Sequence, residues 1–180
     1  MTLRGTVYFD FESTDSFRLF LLLVKAEQEG ADIDLTWRPR PPGDEVGTGE
    51  LTPWERALAA HALVREPIRQ DLFRRGLFIA IHRQGDSPAE DLTYRAAAQV
   101  AGLDADILLE AITRSGRDEV EVARRHAIEA GVTAVPTIVN AGPALHVVTT
   151  AALDHGPASP RVDVIAAMLA DDGLWRLDKP

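Results

Sequence analysis

A long stretch with only helical patterns, between two groups of strand patterns, limits the fold of this 180-residue sequence more than any other feature. Over residues 52–130 apolar residues recur at helical spacing, and no run alternates as a half-buried strand does. Residues 6–11 and 31–37 are predicted strands before this stretch, and residues 134–140 and 145–149 are predicted strands after it. The stretch is too long for the crossover of a βαβ unit, so it predicts an all-helical insertion in an α/β scaffold.

Two further helices complete the predicted order of elements. The first connects the two leading strands over residues 15–29, with one apolar face and Gly30 at its C-terminal end. The second is predicted over residues 159–170, after the last strand. The order is therefore β-α-β, a helical block, and β-β-α, which is a thioredoxin-like fold interrupted in its middle.

The order of elements also predicts how the chain is divided. Residues 1–50 and 131–180 are predicted to form the thioredoxin-like domain, and residues 51–130 the helical insertion subdomain. Within the insertion, Thr52-Pro53-Trp54-Glu55 has the capping-box arrangement of a helix start. Ser87 is predicted to cap a later helix. Two short helices are expected after it, over residues 104–115 and 117–130.

Composition excludes several classes of function. The formal net charge of −9 disfavours nucleic acid as a partner, and no apolar run is long enough to cross a membrane. The sequence has no cysteine, so thiol-disulfide exchange through its own side chains is excluded. The five histidines are scattered without the spacing of metal ligands, so no metal is expected. Because a strand pattern begins soon after Met1, we expect no signal peptide and a cytoplasmic protein.

The polar turn Ser13-Thr14-Asp15-Ser16 lies between the first strand pattern and the first helix pattern. A helix N-terminus has unpaired N–H groups and the positive end of the helix dipole, so an anion is stabilised there. Ser13 or Thr14 is expected to cap the helix. The sequence alone leaves open whether one of these hydroxyls also binds a ligand.

Three segments resemble the DsbA-like branch of the thioredoxin superfamily, which includes DsbA oxidoreductases, kappa-class glutathione transferases and 2-hydroxychromene-2-carboxylate isomerases. Residues 7–17 are similar to the strand and active loop of that branch. Residues 74–104 include its Leu-Phe-x-Ala and Ala-Gly-Leu-Asp signatures, and residues 127–137 its Gly-Val-x-x-Val-Pro-Thr segment. Each motif is weak alone, but their order and spacing over residues 6–140 are specific.

The resemblance implies roles for residues of the turn and of the last segment. Ser13 falls on the position of the nucleophilic cysteine of the oxidoreductases and of the catalytic serine of the isomerases and kappa transferases. In the latter two, this hydroxyl favours the thiolate of glutathione, so glutathione is the implied cofactor. The resemblance also implies a cis Val135–Pro136 bond beside the active loop. Together with Thr137, these two residues would form the edge that binds an extended thiol peptide.

Two functions from different classes stay open at this point. In the first, the protein is a glutathione- or thiol-dependent isomerase or transferase, with Ser13 as thiolate stabiliser and Thr14, Asp15 and Ser16 beside the thiol. In the second, it is a non-catalytic protein that binds a peptide or small molecule in the same cleft. Asp15 favours the second, because a carboxylate in the first helical turn repels a thiolate. Assembly as a homodimer also stays open, although the sequence has no pattern that indicates an interface.

Overall fold

The computed structural model describes residues 2–44, 49–140, 145–146 and 156–170. Helices and strands alternate along the first third of the chain, and five helical segments follow before the strands return. The elements are β1 (Leu3–Phe9), α1 (Thr14–Gln28), β2 (Ile33–Pro39), α2 (Pro53–Leu63), α3 (Pro67–Ile79) with a π-helical turn (Ala80–Gln84), α4 (Asp91–Val100), α5 (Ala105–Glu129), β3 (Thr137–Val139), β4 (Leu145–His146) and α6 (Ser159–Ala170). This confirms the predicted mixed α/β fold with helices throughout its middle part.

The four described strands form one sheet in the order β2-β1-β3-β4. β1 pairs with β2 in parallel, as expected for a strand-helix-strand unit whose helix is α1. β3 pairs antiparallel with β1 and with β4, in a register that places Tyr8 opposite Thr137. Because this pairing is antiparallel, the residues just after β1 lie next to the residues just before β3. These two segments are the ones singled out by the sequence.

The helical block packs on the strand-helix-strand unit through one continuous hydrophobic core. Phe78 on α3 lies at its centre and contacts aromatic rings from β1, α1, β2 and its own helix. The ring centroids closest to Phe78 belong to Phe11 at 4.9 Å and Phe20 at 5.1 Å. The position of the loop at the end of β1 is therefore fixed by contacts from the helical block.

One expectation about the helical block is wrong. Residues 104–115 and 117–130 do not form two helices, because α5 continues without a break from Ala105 to Glu129. Gly116 lies between the two predicted helices, and in the structure it is a packing residue. A Cβ at this position would lie 3.1 Å from Leu51 Cδ1 and 3.2 Å from Ala59 Cβ. The missing side chain thus lets α5 approach α2 closely.

Smaller differences concern the ends of elements. α4 begins at Asp91 with Glu90 at its N-cap, and Ser87 instead accepts a hydrogen bond from Ala89 N in the preceding turn. β1 ends at Phe9 and not at residue 11, because the Asp10 side chain engages the following loop. β3 is limited to Thr137–Val139. The end of the predicted strand at residues 147–149 lies outside the described residues.

Other predictions are confirmed at the level of single residues. Thr52 caps α2 in a complete capping box with Glu55, as its sequence indicates. The last helix spans Ser159–Ala170, as predicted. In the part of the chain that the structure describes, no helix is long and apolar enough to cross a membrane. The division into a domain of residues 1–50 and 131–180 and an inserted subdomain stays a prediction.

His61 on α2 is a polar residue in the middle of the core. It is fully buried, and its ring centroid lies 5.1 Å from that of Phe9 and 6.2 Å from that of Phe11. Neither ring nitrogen has a hydrogen-bond partner among the described residues. Burial, together with the nearby charge of Arg74, lowers the pKa of His61 well below its ordinary value.

We expect His61→Leu to reduce the loss of stability in mild acid. In the unfolded chain a histidine binds a proton below about pH 6.5, whereas the buried ring stays neutral, so the wild type loses stability as the pH falls through that value. Urea denaturation should show a pH 7 to pH 5 loss that is smaller in the variant by up to about 2 kcal/mol. Leu77→Ala, which removes only apolar volume, should lower stability equally at both pH values. If His61→Leu lost as much stability between pH 7 and pH 5 as the wild type does, the attribution of this loss to His61 would be wrong.

Candidate functional site

The candidate site begins at the N-terminus of α1, where Ser13 is the N-cap residue. Ser13 Oγ accepts a hydrogen bond from Ser16 N at 3.1 Å, and Ser13 O accepts one from Phe17 N at 3.1 Å. Ser13 is half-buried, and its hydroxyl proton finds no acceptor among the described residues. The oxygen therefore satisfies the helix end while the proton is still available to a ligand.

Asp10 holds the loop between β1 and α1 in place. Its Oδ1 accepts a hydrogen bond from Ser13 N at 2.7 Å, and its own backbone N lies 3.5 Å from Ser16 Oγ. Burial raises the pKa of the Asp10 carboxyl, although the bond from Ser13 N acts in the opposite direction. Asp10 thus lies three residues before Ser13 in the sequence, and its carboxyl is hydrogen-bonded to the backbone N–H of Ser13.

The other three residues of the turn differ in their exposure and in their contacts. Thr14 is exposed, whereas Ser16 is fully buried beneath the first turn. Asp15 is half-buried and forms an ion pair with Arg18, with 3.5 Å between Oδ1 and Nη1. Part of the Asp15 charge is therefore compensated on its own helix.

The segment before β3 forms the second side of the site. The Val135–Pro136 peptide bond is cis. Val135 is half-buried, whereas Pro136 and Thr137 are buried. Thr137 Oγ1 donates a hydrogen bond to Ala134 O at 2.7 Å, which fixes this turn on itself. Val135 is consequently the residue of the three with a surface free for contact.

A cavity of about 320 Å³ lies where the two segments meet. Asp10 and Val135 both line it, so the end of β1 and the loop before β3 are brought together. Arg40, which follows β2, also lines it and binds three surrounding segments. Its side chain donates to Val132 O at 3.4 Å and to Gly43 O at 3.0 Å, and its backbone N donates to Phe9 O at 2.7 Å.

His82, on the π-helical turn, contacts the same loop from the helical block. Its Nε2 donates a hydrogen bond to Phe11 O at 2.8 Å. Its ring stacks on Phe17 with 4.6 Å between the centroids and 7° between the planes. Burial lowers the pKa of His82, although the hydrogen bond to Phe11 O acts in the opposite direction.

Sequence reasoning did not find Asp10, Arg40 or His82. A signal for Asp10 was present, because it is a lone carboxylate within the apolar run of residues 7–11. Arg40 lies among prolines, where nothing indicates burial, and His82 is one of five scattered histidines. Among the described residues no group of three histidine, aspartate or glutamate side chains is placed to hold a metal ion.

Comparison with known proteins identifies the fold. No protein-family model matches the sequence, and no curated protein matches it. Among solved structures, a 2-hydroxychromene-2-carboxylate isomerase superposes with a TM-score of 0.67 at 15% identity, covering 92% of this chain and 94% of that one. The cytosolic disulfide reductase DsbM from Pseudomonas aeruginosa, solved with GSH, gives a TM-score of 0.64 at 14% identity, covering 94% and 100%.

The oxidoreductase DsbA from Xylella fastidiosa is similar as well, with a TM-score of 0.62 at 16% identity over 92% of this chain and 84% of that one. These likenesses confirm the predicted fold, which is that of DsbA-like thioredoxin-fold proteins. The identities are low, so they extend to the fold alone. This chain has that fold without any cysteine.

We expect Asp10→Asn to stabilise the protein at neutral pH. The amide oxygen can still accept from Ser13 N, while the cost of a half-buried charge is removed. Since the pKa of Asp10 is raised in the folded state, the wild type loses stability as the pH rises through that pKa. Thermal unfolding should therefore show a higher Tm for the variant at pH 7 and a smaller difference at pH 4.

Asp10→Ala is the matched variant without an acceptor. It should lower the free energy of unfolding by about 1 kcal/mol, because Ser13 N loses its partner. If Asp10→Asn destabilised the protein as much as Asp10→Ala, the charge would be required and the account of burial would be wrong.

Proposed function

We propose that this protein is a glutathione- or thiol-dependent isomerase or transferase in which the Ser13 hydroxyl stabilises a thiolate. The observation that supports it most is the free hydroxyl proton of a serine whose oxygen already caps α1. A sulfur placed above the first turn would accept that proton in a hydrogen bond. The unpaired N–H groups and the dipole of a 15-residue helix would add to this stabilisation.

The charge of Asp15 is a weaker objection than its sequence position suggests. Arg18 compensates part of it from the next turn of α1. This ion pair reduces the repulsion that a thiolate at Ser13 would meet.

We also propose that an extended thiol peptide binds beside Val135, and the position of this residue supports it. It lines the cavity that also contains Asp10, and its neighbours Pro136 and Thr137 are buried and fixed. Backbone groups beside a fixed turn can pair with an extended ligand without an ordering cost. The similar DsbM structure contains GSH, which makes glutathione the first ligand to test. The cytoplasm, where glutathione is kept reduced, is the proposed location.

A second candidate is binding of a peptide or small molecule without catalysis. The observation that favours it is the number of carboxylates near the loop, since Asp10, Glu12 and Asp15 all lie within three residues of Ser13. Negative charge raises the pKa of a nearby thiol and so disfavours the reactive thiolate. The two candidates therefore differ in the thiol pKa of the bound ligand.

Titration calorimetry with reduced glutathione, together with the ultraviolet absorbance of the thiolate, tests the proposal. We expect saturable binding and a thiol pKa lower in the complex than in free glutathione. Ser13→Ala should weaken binding about tenfold, because a hydrogen bond to a charged sulfur is lost. Ser13→Thr, which keeps both the cap and the proton, should restore it.

Asp104→Ala is the control for loss of a helix cap. Asp104 caps α5 by accepting from Asp106 N and Ile107 N, so its removal should lower stability while glutathione binding is retained. Absence of saturable binding to the wild type would reject the glutathione-dependent function. Binding with an unshifted thiol pKa would favour the non-catalytic candidate. Equal binding by Ser13→Ala would remove the role given to Ser13.

A further inference from the structure

A groove between the outer faces of α1 and α3 is lined by four cationic side chains. Its volume is about 630 Å³, and the cations are Arg18, Lys25, Arg75 and Arg83. Among the described residues no carboxylate lines it, although the protein has a net charge of −9. The groove therefore differs in charge from the protein as a whole, and charge complementarity favours an anionic ligand.

The cations are grouped at the two ends of the groove. α1 and α3 run antiparallel, since Phe17 stacks on His82 at one end and Glu27 pairs with Arg75 at the other. Arg18 and Arg83 thus lie at the end near the start of α1. Lys25 and Arg75 lie at the opposite end, about 10 Å away at the rise of an α-helix.

The charges at the two ends differ in how far they are compensated. Arg75 pairs with Asp71 at 2.6 Å and Glu27 at 3.1 Å, and Lys25 Nζ donates to Gly156 O at 2.7 Å. At the other end Arg18 pairs with Asp15 at 3.5 Å, whereas Arg83 is exposed and makes no hydrogen bond or ion pair with the described part of the chain. An anionic head group would therefore be stabilised most at the end that contains Arg83.

The floor between the two ends is apolar. Leu21, Val24 and Ile79 line it and are each half-buried, so their outer surfaces face the groove. Arg83 itself lies on the π-helical turn Ala80–Gln84, a local geometry that is frequent at functional sites. The turn is fixed to the loop after β1 by the bond from His82 to Phe11 O.

We propose that this groove binds a free fatty acid of medium chain length. Its carboxylate would lie between Arg83 and Arg18, and its acyl chain would cover the floor formed by Leu21, Val24 and Ile79. The apolar floor favours a ligand with an acyl chain, and the uncompensated guanidinium of Arg83 favours a ligand with a negatively charged head group. This site goes beyond the proposed function and does not depend on it, because Ser13 contributes nothing to it.

Titration calorimetry with decanoate and with decanol tests the head group. We expect one equivalent of decanoate to bind saturably and decanol to bind at least about fivefold more weakly. Arg83→Gln should weaken decanoate binding about fivefold and leave decanol binding unchanged. Arg125→Gln is the matched control, since Arg125 is an exposed arginine on α5 that does not line the groove. It should bind decanoate as the wild type does.

Equal affinity for decanoate and decanol, or wild-type affinity in Arg83→Gln, would overturn the proposal. So would absence of saturable decanoate binding. Co-sedimentation with anionic phospholipid vesicles that is lost in Arg83→Gln would show a membrane-binding patch instead of a site for a free acid. Ser13→Ala should bind decanoate like the wild type, so failure of this proposal and failure of the glutathione proposal are separate results.

Discussion

The packing of Phe78 is the interaction on which the rest of this structure depends. Its ring lies within 6.5 Å, between centroids, of six other rings: Phe9, Phe11, Phe17, Phe20, Trp37 and His82. These partners come from β1, α1 and β2 as well as from the helical block. Aromatic pairs contribute about 0.5–1.5 kcal/mol each beyond the burial of area, so this one residue of α3 joins β1, α1 and β2 around the start of the candidate loop.

This packing explains why a short polar loop can be held precisely. The loop of residues 10–16 follows Phe9, precedes Phe17 and includes Phe11, and all three rings are fixed in the core. Within it, the polar groups pair with one another, as Asp10 does with Ser13 and Ser13 with Ser16. The Ser13 oxygen is therefore held at a fixed place, from which its hydroxyl proton can turn toward a ligand charge.

The sequence was informative wherever the pattern depends on the local chain. The capping box at Thr52, the cap at Ser13 and the helical block follow from residue types at short spacing, and the structure agrees with them. The continuity of α5 could not be predicted in this way. Gly116 weakens a helix by its own propensity, and only its contact with α2 shows why it is present.

The same limit applies to the candidate site. Ser13 could be selected from sequence because the strand-loop-helix pattern places it at a helix start. Arg40 could not, because its role depends on bonds to Phe9 and Val132, which are distant from it in sequence. Long-range polar contacts of this kind leave no periodic signal.

The two proposed sites use different parts of one helix, and this is a consequence of how α1 is packed. Its inner face is occupied by the aromatic core, through Phe17 and Phe20. What α1 can still offer a ligand is its N-terminal turn, where backbone N–H groups and the Ser13 hydroxyl favour a small anion. It also offers its outer face, where Arg18 and Lys25 border an apolar floor. Since the first depends on hydrogen bonds at one point and the second on area and charge along two turns, a substitution can remove either one without the other.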